Sequence, residues 1–179
     1  RTYQWHYTNS GNNAFDKTNS TGETLAGSIA GCDVGCYEAW QKCTGDPSVI
    51  VAVLDDGVMY THPDLAGNIW VNDKEELYAG TDADGNGYKD DRYGYNFVHN
   101  TAAISWTDVS DIGHGTHVSG TIAAMNNGYG VCGIAGGDGT KDSGVKIMIC
   151  QVFAGENSVS LTGAAQACRT RPAQRPAGR

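Results

Sequence analysis

Positive charge and long apolar runs are both scarce in this sequence. Its 179 residues include 12 Lys and Arg against 20 Asp and Glu, which gives a formal net charge of −8. Nucleic-acid binding needs a basic face, so we do not expect a nucleic acid among the partners of this chain. No apolar run approaches the length of a bilayer-crossing helix, so the sequence predicts no membrane span.

Paired metal-binding cysteines and a targeting signal are also missing. None of the six cysteines has the C-x-x-C spacing of a zinc site. Cys150 lies in an apolar run, where it is expected to be a small buried hydrophobe, whereas a disulfide within the early cluster Cys32, Cys36 and Cys43 stays open. The first residue is Arg and no apolar signal segment follows it, so we expect a processed product or a fragment of a longer protein.

The stretch that organises the chain is Val49 to Leu65, VIVAVLDDGVMYTHPDL. Its opening run, Val49 to Leu54, is rich in β-branched residues and is bounded by turn residues, which predicts a buried parallel strand. Asp55 then stands at the carboxyl end of that strand. In open α/β sheets, functional groups collect at that edge.

A second stretch, Gly113 to Met125, reads GHGTHVSGTIAAM and places His114 at the start of a helix. Val118, Ile122 and Met125 recur at helical spacing, and Asn126-Asn127-Gly128 is a stop signal for that helix. A strand-end Asp followed by a helix-start His supplies two members of a Ser-His-Asp relay, in the order Asp then His.

These two stretches resemble the motifs of the subtilisin-like (subtilase) family of serine peptidases. The resemblance covers roughly Gln4 to Ala167 and implies a three-layer α/β fold with a mostly parallel sheet, incomplete at its C-terminal side. It divides the chain into an N-terminal segment (1–45), a partial catalytic domain (46–167) and an atypical tail (168–179). Further expected elements are a short helix at Tyr37–Trp40 and strands at Tyr93–Val98 and Val145–Phe153.

The resemblance implies a serine-type endopeptidase that hydrolyses polypeptide substrates and works outside the cell or in the cell envelope. His114 is then the general base, and Asp55 holds its tautomer and stabilises the imidazolium. The sequence departs from the family pattern in two places. Asp56 stands where the family usually has Thr or Ser, and the Gly-Thr-Ser nucleophile motif is absent. The 179-residue chain alone is therefore predicted to be inactive.

Two other functions are compatible with parts of the sequence. One alternative is a catalytically inactive, calcium-binding module derived from a subtilase. The other is a metal-dependent hydrolase that uses His62, His114 and nearby acids, although it lacks the usual adjacent ligand pair. We interpret His62 as a loop histidine that bonds nearby backbone, and His117 as a packing residue of the helix.

An acidic segment between the two motifs predicts a calcium site. In Asp82-Ala83-Asp84-Gly85-Asn86-Gly87-Tyr88, oxygen-bearing side chains occupy the first, third and fifth positions of a calcium loop, and Gly precedes the backbone carbonyl of Tyr88. The twelfth position holds Tyr93 instead of Glu, so Asp90 or Asp91 must complete the coordination. A solvated acidic loop without an ion is the simpler alternative. The predicted ligands are Asp82, Asp84, Asn86, Tyr88 and Asp90.

The tail from Cys168, CRTRPAQRPAGR, differs in composition from the rest of the chain. It holds four of the six arginines and half of the prolines, and it interrupts the helix that begins near Leu161. We interpret it as the product of a truncation or frameshift; a disordered basic tail is the alternative. Translating the encoding DNA in its other two frames distinguishes them, because the frameshift hypothesis requires a Gly-Thr-Ser motif in one of those frames.

Overall fold

The computed structural model describes residue 4 and residues 6–11, 29–108 and 111–169. The chain divides into two compact units, residues 1–44 and 45–179. In the first unit, the short helix α1 (Cys36–Trp40) lies where the sequence predicts it. Tyr7, which is 3% exposed, packs edge-on against Trp40 with ring centroids 5.4 Å apart. This aromatic pair anchors the polar N-terminal segment to α1.

The second unit is built on a three-stranded parallel sheet. Its strands are β1 (Ile50–Asp55), β2 (Gly94–Asn96) and β3 (Lys146–Gln151), arranged in the order β1-β3-β2. A short antiparallel hairpin, β4 (Phe153–Ala154) with β5 (Asn157–Ser158), follows β3 directly. The predicted strand at Val145–Phe153 is therefore divided between the central strand and the hairpin.

Alternating side chains of β3 build a core on each face of the sheet. Ile147 and Ile149 belong to one cluster, against which Val118 and Ile122 of helix α2 (His114–Ala123) pack. Met148 and Cys150 belong to the other cluster, which includes a residue of helix α3 (Leu161–Arg169). Successive side chains of a strand point to opposite faces, so one apolar strand can serve both cores. The result is the helix-sheet-helix layering that the resemblance implies.

The burial of β1 differs from the prediction. Of its six residues only Val53 is buried, and Ala52 is exposed. The reason is topological: β1 lies at the edge of the sheet and pairs only with β3, whereas β3 is flanked on both sides. The apolar run identified a strand correctly, but sequence alone does not distinguish an edge strand from a central one.

Helix α2 ends three residues before the predicted stop signal. Ala124 leaves the helical region with ψ 134°, and the N–H of Met125 donates to the carbonyl of Asp64 at 2.8 Å. A tertiary hydrogen bond thus ends the helix earlier than Asn126-Asn127-Gly128 would. At the other end of the unit, α3 continues to Arg169, and residues 170–179 of the predicted tail lie outside the described residues. Within the described part of the chain, every helix is too short or too polar to cross a membrane.

Candidate active site

Three polar residues meet at the carboxyl edge of the parallel sheet. Asp55 ends β1 and pairs in register with Gln151 at the end of β3, which pairs in turn with Asn96 at the end of β2. All three strands run in the same direction, so their last residues share one edge. This is the edge where the sequence predicts functional groups.

The carboxylate of Asp55 contacts the imidazole of His114. Nδ1 of His114 lies 2.7 Å from Asp55 Oδ1 and 2.9 Å from Oδ2. The Asp55 side chain is 15% exposed and that of His114 is 60% exposed. The hydrogen bond that His114 donates to Asp55 and the negative charge of Asp55 raise the pKa of His114 above its usual value, and the charge of Asp56 adds a smaller rise. With Nδ1 bonded to the carboxylate, Nε2 is the ring nitrogen left for proton transfer.

Asp55 is itself held by backbone groups on both sides. Its Oδ1 accepts the N–H of Asp56 at 2.8 Å, and its carbonyl accepts the N–H of Val152 at 2.8 Å. The first bond orients the carboxylate, while the second ties the end of β1 to the residue after β3. The acid therefore stands on a paired strand end rather than on a free loop.

The side chain of the next residue, Asp56, binds backbone N–H groups of the same helix. Asp56 is 8% exposed. Its Oδ2 accepts the N–H of His114 at 3.1 Å, and its Oδ1 accepts the N–H of Gly115. Consecutive carboxylates thus bind the side chain and the main chain of one histidine. The sequence marked Asp56 as unusual but did not predict this contact.

Gln151 holds the segment before the histidine helix against the sheet. It is fully buried; its Oε1 accepts the N–H of Ser105 at 3.0 Å, and its Nε2 donates to Ser105 Oγ at 2.8 Å. The Ser105 hydroxyl also bonds the carboxylate of Asp108. The available sequence signal was a glutamine at the end of an apolar run. A buried side-chain amide needs hydrogen-bond partners, so its presence there indicated a polar contact at the strand end.

Asp111 links that segment to the hairpin. Its Oδ2 accepts the N–H of Asp108 at 3.0 Å, and its Oδ1 accepts the N–H of Gly155, between β4 and β5, at 3.0 Å. The approach to His114 and the hairpin after β3 are therefore joined by one carboxylate. Sequence reasoning placed Asp111 before the helix but assigned it no contact.

The other candidate side chains near the two motifs lie outside the Asp55–His114 contact. His62 Nδ1 accepts the N–H of Asp64 at 3.2 Å, which is the local backbone bond expected of a loop histidine. His117 is exposed on α2 rather than packed, and Ser119 on the same helix is fully buried. The described structure therefore does not join His62 and His114 in a metal-binding group.

A second cluster of acids forms in the loop between β1 and β2. Carboxylate oxygens of Glu75, Asp82 and Asp84 lie within 4.8 Å of one another. Glu75 is fully buried, and its Oε1 accepts the N–H groups of Ala83 at 2.5 Å and of Asp84 at 3.1 Å. Sequence reasoning missed Glu75 because it lies seven residues before the loop pattern begins. The only sequence signal was one more acid in an acidic segment.

The remaining predicted calcium ligands lie around this cluster with different partners. Asn86 Oδ1 accepts the N–H of Tyr88 at 2.8 Å, while the Asp90 carboxylate accepts the N–H of Gly80 at 2.7 Å. Asp91 is 2% exposed and receives amide hydrogen bonds from Asn72 and Asn86 at 2.9 and 2.8 Å. Burial raises the pKa of Asp91 against the lowering effect of those two bonds, and the charges of Asp84 and Glu75 raise it further.

Comparison with known proteins now identifies the family. The family model described as Peptidase_S8, the subtilase family, matches residues 46–175. The chain belongs to the subtilase family. The match includes both carboxylates at the end of β1, the histidine helix and the acidic loop, and it extends into the first residues of the tail.

Among curated relatives, this subtilase chain is similar to subtilisin-like protease 1 of Plasmodium vivax, at 46% identity over 58% of the chain. It is 40% identical to subtilisin-like protease 1 of Plasmodium falciparum over 69% of the chain. Fervidolysin of Fervidobacterium pennivorans is 35% identical over 74% of the chain. The matched segments span 15%, 17% and 15% of these three relatives, so the chain covers less than a fifth of their length.

A solved structure supports the fold of the subtilase chain. The serine protease of Aeromonas sobria, crystallised in complex with a chaperone, aligns with a TM-score of 0.61 and 28% identity. The alignment covers 92% of this chain and 21% of that protein. The predicted α/β subtilisin-like fold with a mostly parallel sheet is therefore confirmed.

Proposed function

We propose that this subtilase chain carries the acid and the base of a serine endopeptidase. Asp55 and His114 are the catalytic pair, and the nucleophilic serine is supplied by residues outside these 179. The observation that carries the proposal is the contact of Asp55 with His114 Nδ1 at 2.7 Å. A carboxylate on Nδ1 leaves Nε2 to take the serine proton and later return it to the leaving amine. The chain covers only 15% and 17% of two protease relatives, which supports a serine that lies outside these 179 residues.

The catalytic roles follow from the environment of each group. Asp55 is largely shielded and stays an acceptor for Nδ1–H, which favours the reactive tautomer and stabilises the imidazolium as it forms. His114 is exposed enough to meet a peptide substrate. The substrate class is polypeptide, by similarity to the protease relatives.

A fluorophosphonate probe, which labels an activated serine, tests this function. We expect the natural protein, purified from cells that produce it, to be labelled, and the isolated 179-residue chain to stay unlabelled. Substituting His114→Ala in the natural protein should abolish labelling, while His62→Ala should preserve it, because His62 bonds only local backbone. Equal labelling of wild-type and His114→Ala proteins would refute the assignment of the base.

The same experiment separates the second candidate function, a catalytically inactive, calcium-binding subtilase-like module. The absence of a Gly-Thr-Ser motif from these residues favours it. If the natural protein is never labelled although it folds and binds calcium, the module is the better description. Labelling that depends on His114 excludes it.

The acidic loop is proposed to hold a calcium ion through Asp82 and Asp84, with Glu75 as an added ligand. Carboxylate oxygens are the ligands that Ca²⁺ prefers, and the three acids converge within 4.8 Å. The ion pairs His114–Asp55 and Lys146–Asp142 involve other residues, and Arg92 donates to the backbone carbonyl of Glu75 at 2.7 Å rather than to its carboxylate. Asn86, Asp90 and the Tyr88 carbonyl remain predicted ligands.

Action outside the cell or in the cell envelope is proposed by similarity. One relative at 33% identity is an extracellular serine protease of Aeromonas sobria. Immunoblotting of culture medium and washed cells tests this: recovery of the natural protein only from the soluble interior of the cell would contradict it.

A further inference from the structure

The helix that bears His114 begins without a cap of its own. Its N-cap residue is Gly113, which adopts a left-handed conformation with φ 72° and makes no side-chain cap hydrogen bond. The first N–H groups of any helix lack partners within the helix. Here the uncapped groups include those of His114 and Gly115, so the position of the imidazole depends on what binds them.

Asp56 supplies the missing cap from another part of the chain. Its two carboxylate oxygens accept the N–H groups of His114 and Gly115, one each, across 58 and 59 residues of sequence. A carboxylate at a helix N-terminus is also favoured by the helix dipole. The contact is close enough that a Cβ on Gly115 would lie 2.6 Å from Asp56 Oδ1. A side chain at that position would collide with the carboxylate in its present place.

The chemistry of the side chain decides how complete this cap is. A Thr or Ser, which the family usually has here, offers a single oxygen without charge and could serve one N–H. Asp offers two oxygens and a negative charge. At 8% exposure, that charge is poorly screened by water and lies beside the pair Asp55–His114.

We propose that Asp56 is a positioning residue: by capping the first turn of α2, its carboxylate fixes the backbone of His114 against the end of β1. This inference rests on the proposed peptidase function for its purpose, but not for its test. The groups that act on the imidazole are Asp55 and Asp56 from the end of β1. Asp111, in the segment before α2, binds the N–H groups of Asp108 and Gly155, while His117 on α2 is exposed.

The test uses the full 179-residue chain and needs no enzymatic activity. Asp56→Asn keeps the shape but removes the charge and one acceptor, and Asp56→Thr keeps one acceptor without charge. Asp73→Asn is the matched control, since it removes one acidic charge from an exposed position. Amide hydrogen exchange at His114 and Gly115 and the imidazole titration of His114 are measured by NMR in all variants.

In Asp56→Asn, which keeps one acceptor oxygen, we expect exchange to be roughly fivefold to tenfold faster at the one amide, His114 or Gly115, that loses its acceptor. In Asp56→Thr, only one of the two amides should lose protection. Both variants should lower the pKa of His114, because a nearby negative charge is gone. Faster exchange without any change in the titration would overturn the proposal, because a merely structural cap gives that result.

Unchanged exchange and titration in either folded Asp56 variant would overturn the proposal, as would an equal pKa change in Asp73→Asn. If Asp56→Asn does not fold, Asp56→Thr alone decides. A serine that is never labelled by fluorophosphonate would refute the peptidase function and leave these NMR results standing, so the two failures are distinguishable.

Discussion

Asp55 and Asp56 are identical side chains in consecutive positions, yet they bind different atoms of one histidine. The Asp55 carboxylate contacts Nδ1 of His114, whereas the Asp56 carboxylate accepts the backbone N–H of the same residue. The contact of Asp55 with His114 was predictable from its strand-end position and motif. That of Asp56 was not, because its partners become neighbours only when α2 is placed on the sheet.

At the residue scale, the Asp55–His114 pair makes stability depend on pH. The contact raises the pKa of His114 above its value in the unfolded chain, about 6.5. Its extra stabilisation is therefore fully present below that unfolded pKa and is lost as the pH rises through the folded one. We expect Asp55→Asn to reduce the free energy of unfolding more at pH 6 than at pH 9, and to lower the pKa of His114.

Urea unfolding at the two pH values, together with NMR titration of the imidazole, measures both effects. Asp73→Asn serves again as the control for loss of one surface charge, and it should change unfolding equally at both values. If Asp55→Asn lowers the free energy of unfolding by the same amount at pH 6 and pH 9, the Asp55 carboxylate does not stabilise the protonated form of His114.

At the element scale, α2 shows how packing decides features that periodicity leaves open. The spacing of Val118 and Ile122 correctly predicted a helix with one face on the sheet. Its last residue is Ala123 rather than the predicted Met125, because the N–H of Met125 donates to the carbonyl of Asp64 instead of continuing the helix. Local stop signals compete with such tertiary bonds, which a single sequence does not contain.

The two glycines inside α2 provide a matched test of its docking. A Cβ on Gly115 would lie 2.6 Å from Asp56 Oδ1 and 2.7 Å from its carbonyl oxygen, whereas a Cβ on Gly120 would meet nothing within 4 Å. We expect Gly115→Ala to destabilise the chain by about 1–3 kcal/mol through overpacking. Gly120→Ala should instead stabilise it by roughly 0.5–1 kcal/mol, because alanine is the better helix former.

Chemical denaturation of both variants measures these free energies. The opposite signs matter more than the magnitudes, since both changes add one methyl group to the same helix. Stabilisation by Gly115→Ala would mean that the first turn of α2 does not approach Asp56 closely, and it would remove the geometric basis of the cap.

At the scale of the whole molecule, topology explains where sequence reasoning succeeded and stopped. The parallel sheet and its two cores were predictable, because β-branched runs and small-residue helices have strong local signatures. The exposure of Ala52 was not predictable, since an edge strand and a central strand share the same apolar pattern. Within the described residues, the outer side of β1 carries no partner strand, and an open edge of this kind favours self-association.

Charge is the other property of the whole molecule that the fold has to accommodate. The net charge is −8, and seven of the 20 acids lie between residues 73 and 91. Two of these, Glu75 and Asp91, are buried there. The fold brings them close to Asp82 and Asp84, so like charges accumulate where solvent screens them least. A bound divalent cation would remove this repulsion, which makes the melting temperature of the whole chain a measure of the proposed site.

We therefore expect calcium to raise the melting temperature of the 179-residue chain relative to a chelator. An ion present at 100 times its dissociation constant adds about 2.7 kcal/mol, which for a chain of this size corresponds to roughly 5–10 °C. Asp84→Asn, which removes one converging carboxylate, should abolish most of the shift, while Asp73→Asn should retain it. Differential scanning calorimetry in millimolar calcium or in EGTA measures the shift. The same melting temperature in both buffers would mean that the acidic loop binds no calcium and that Glu75 and Asp91 are held by their hydrogen bonds instead.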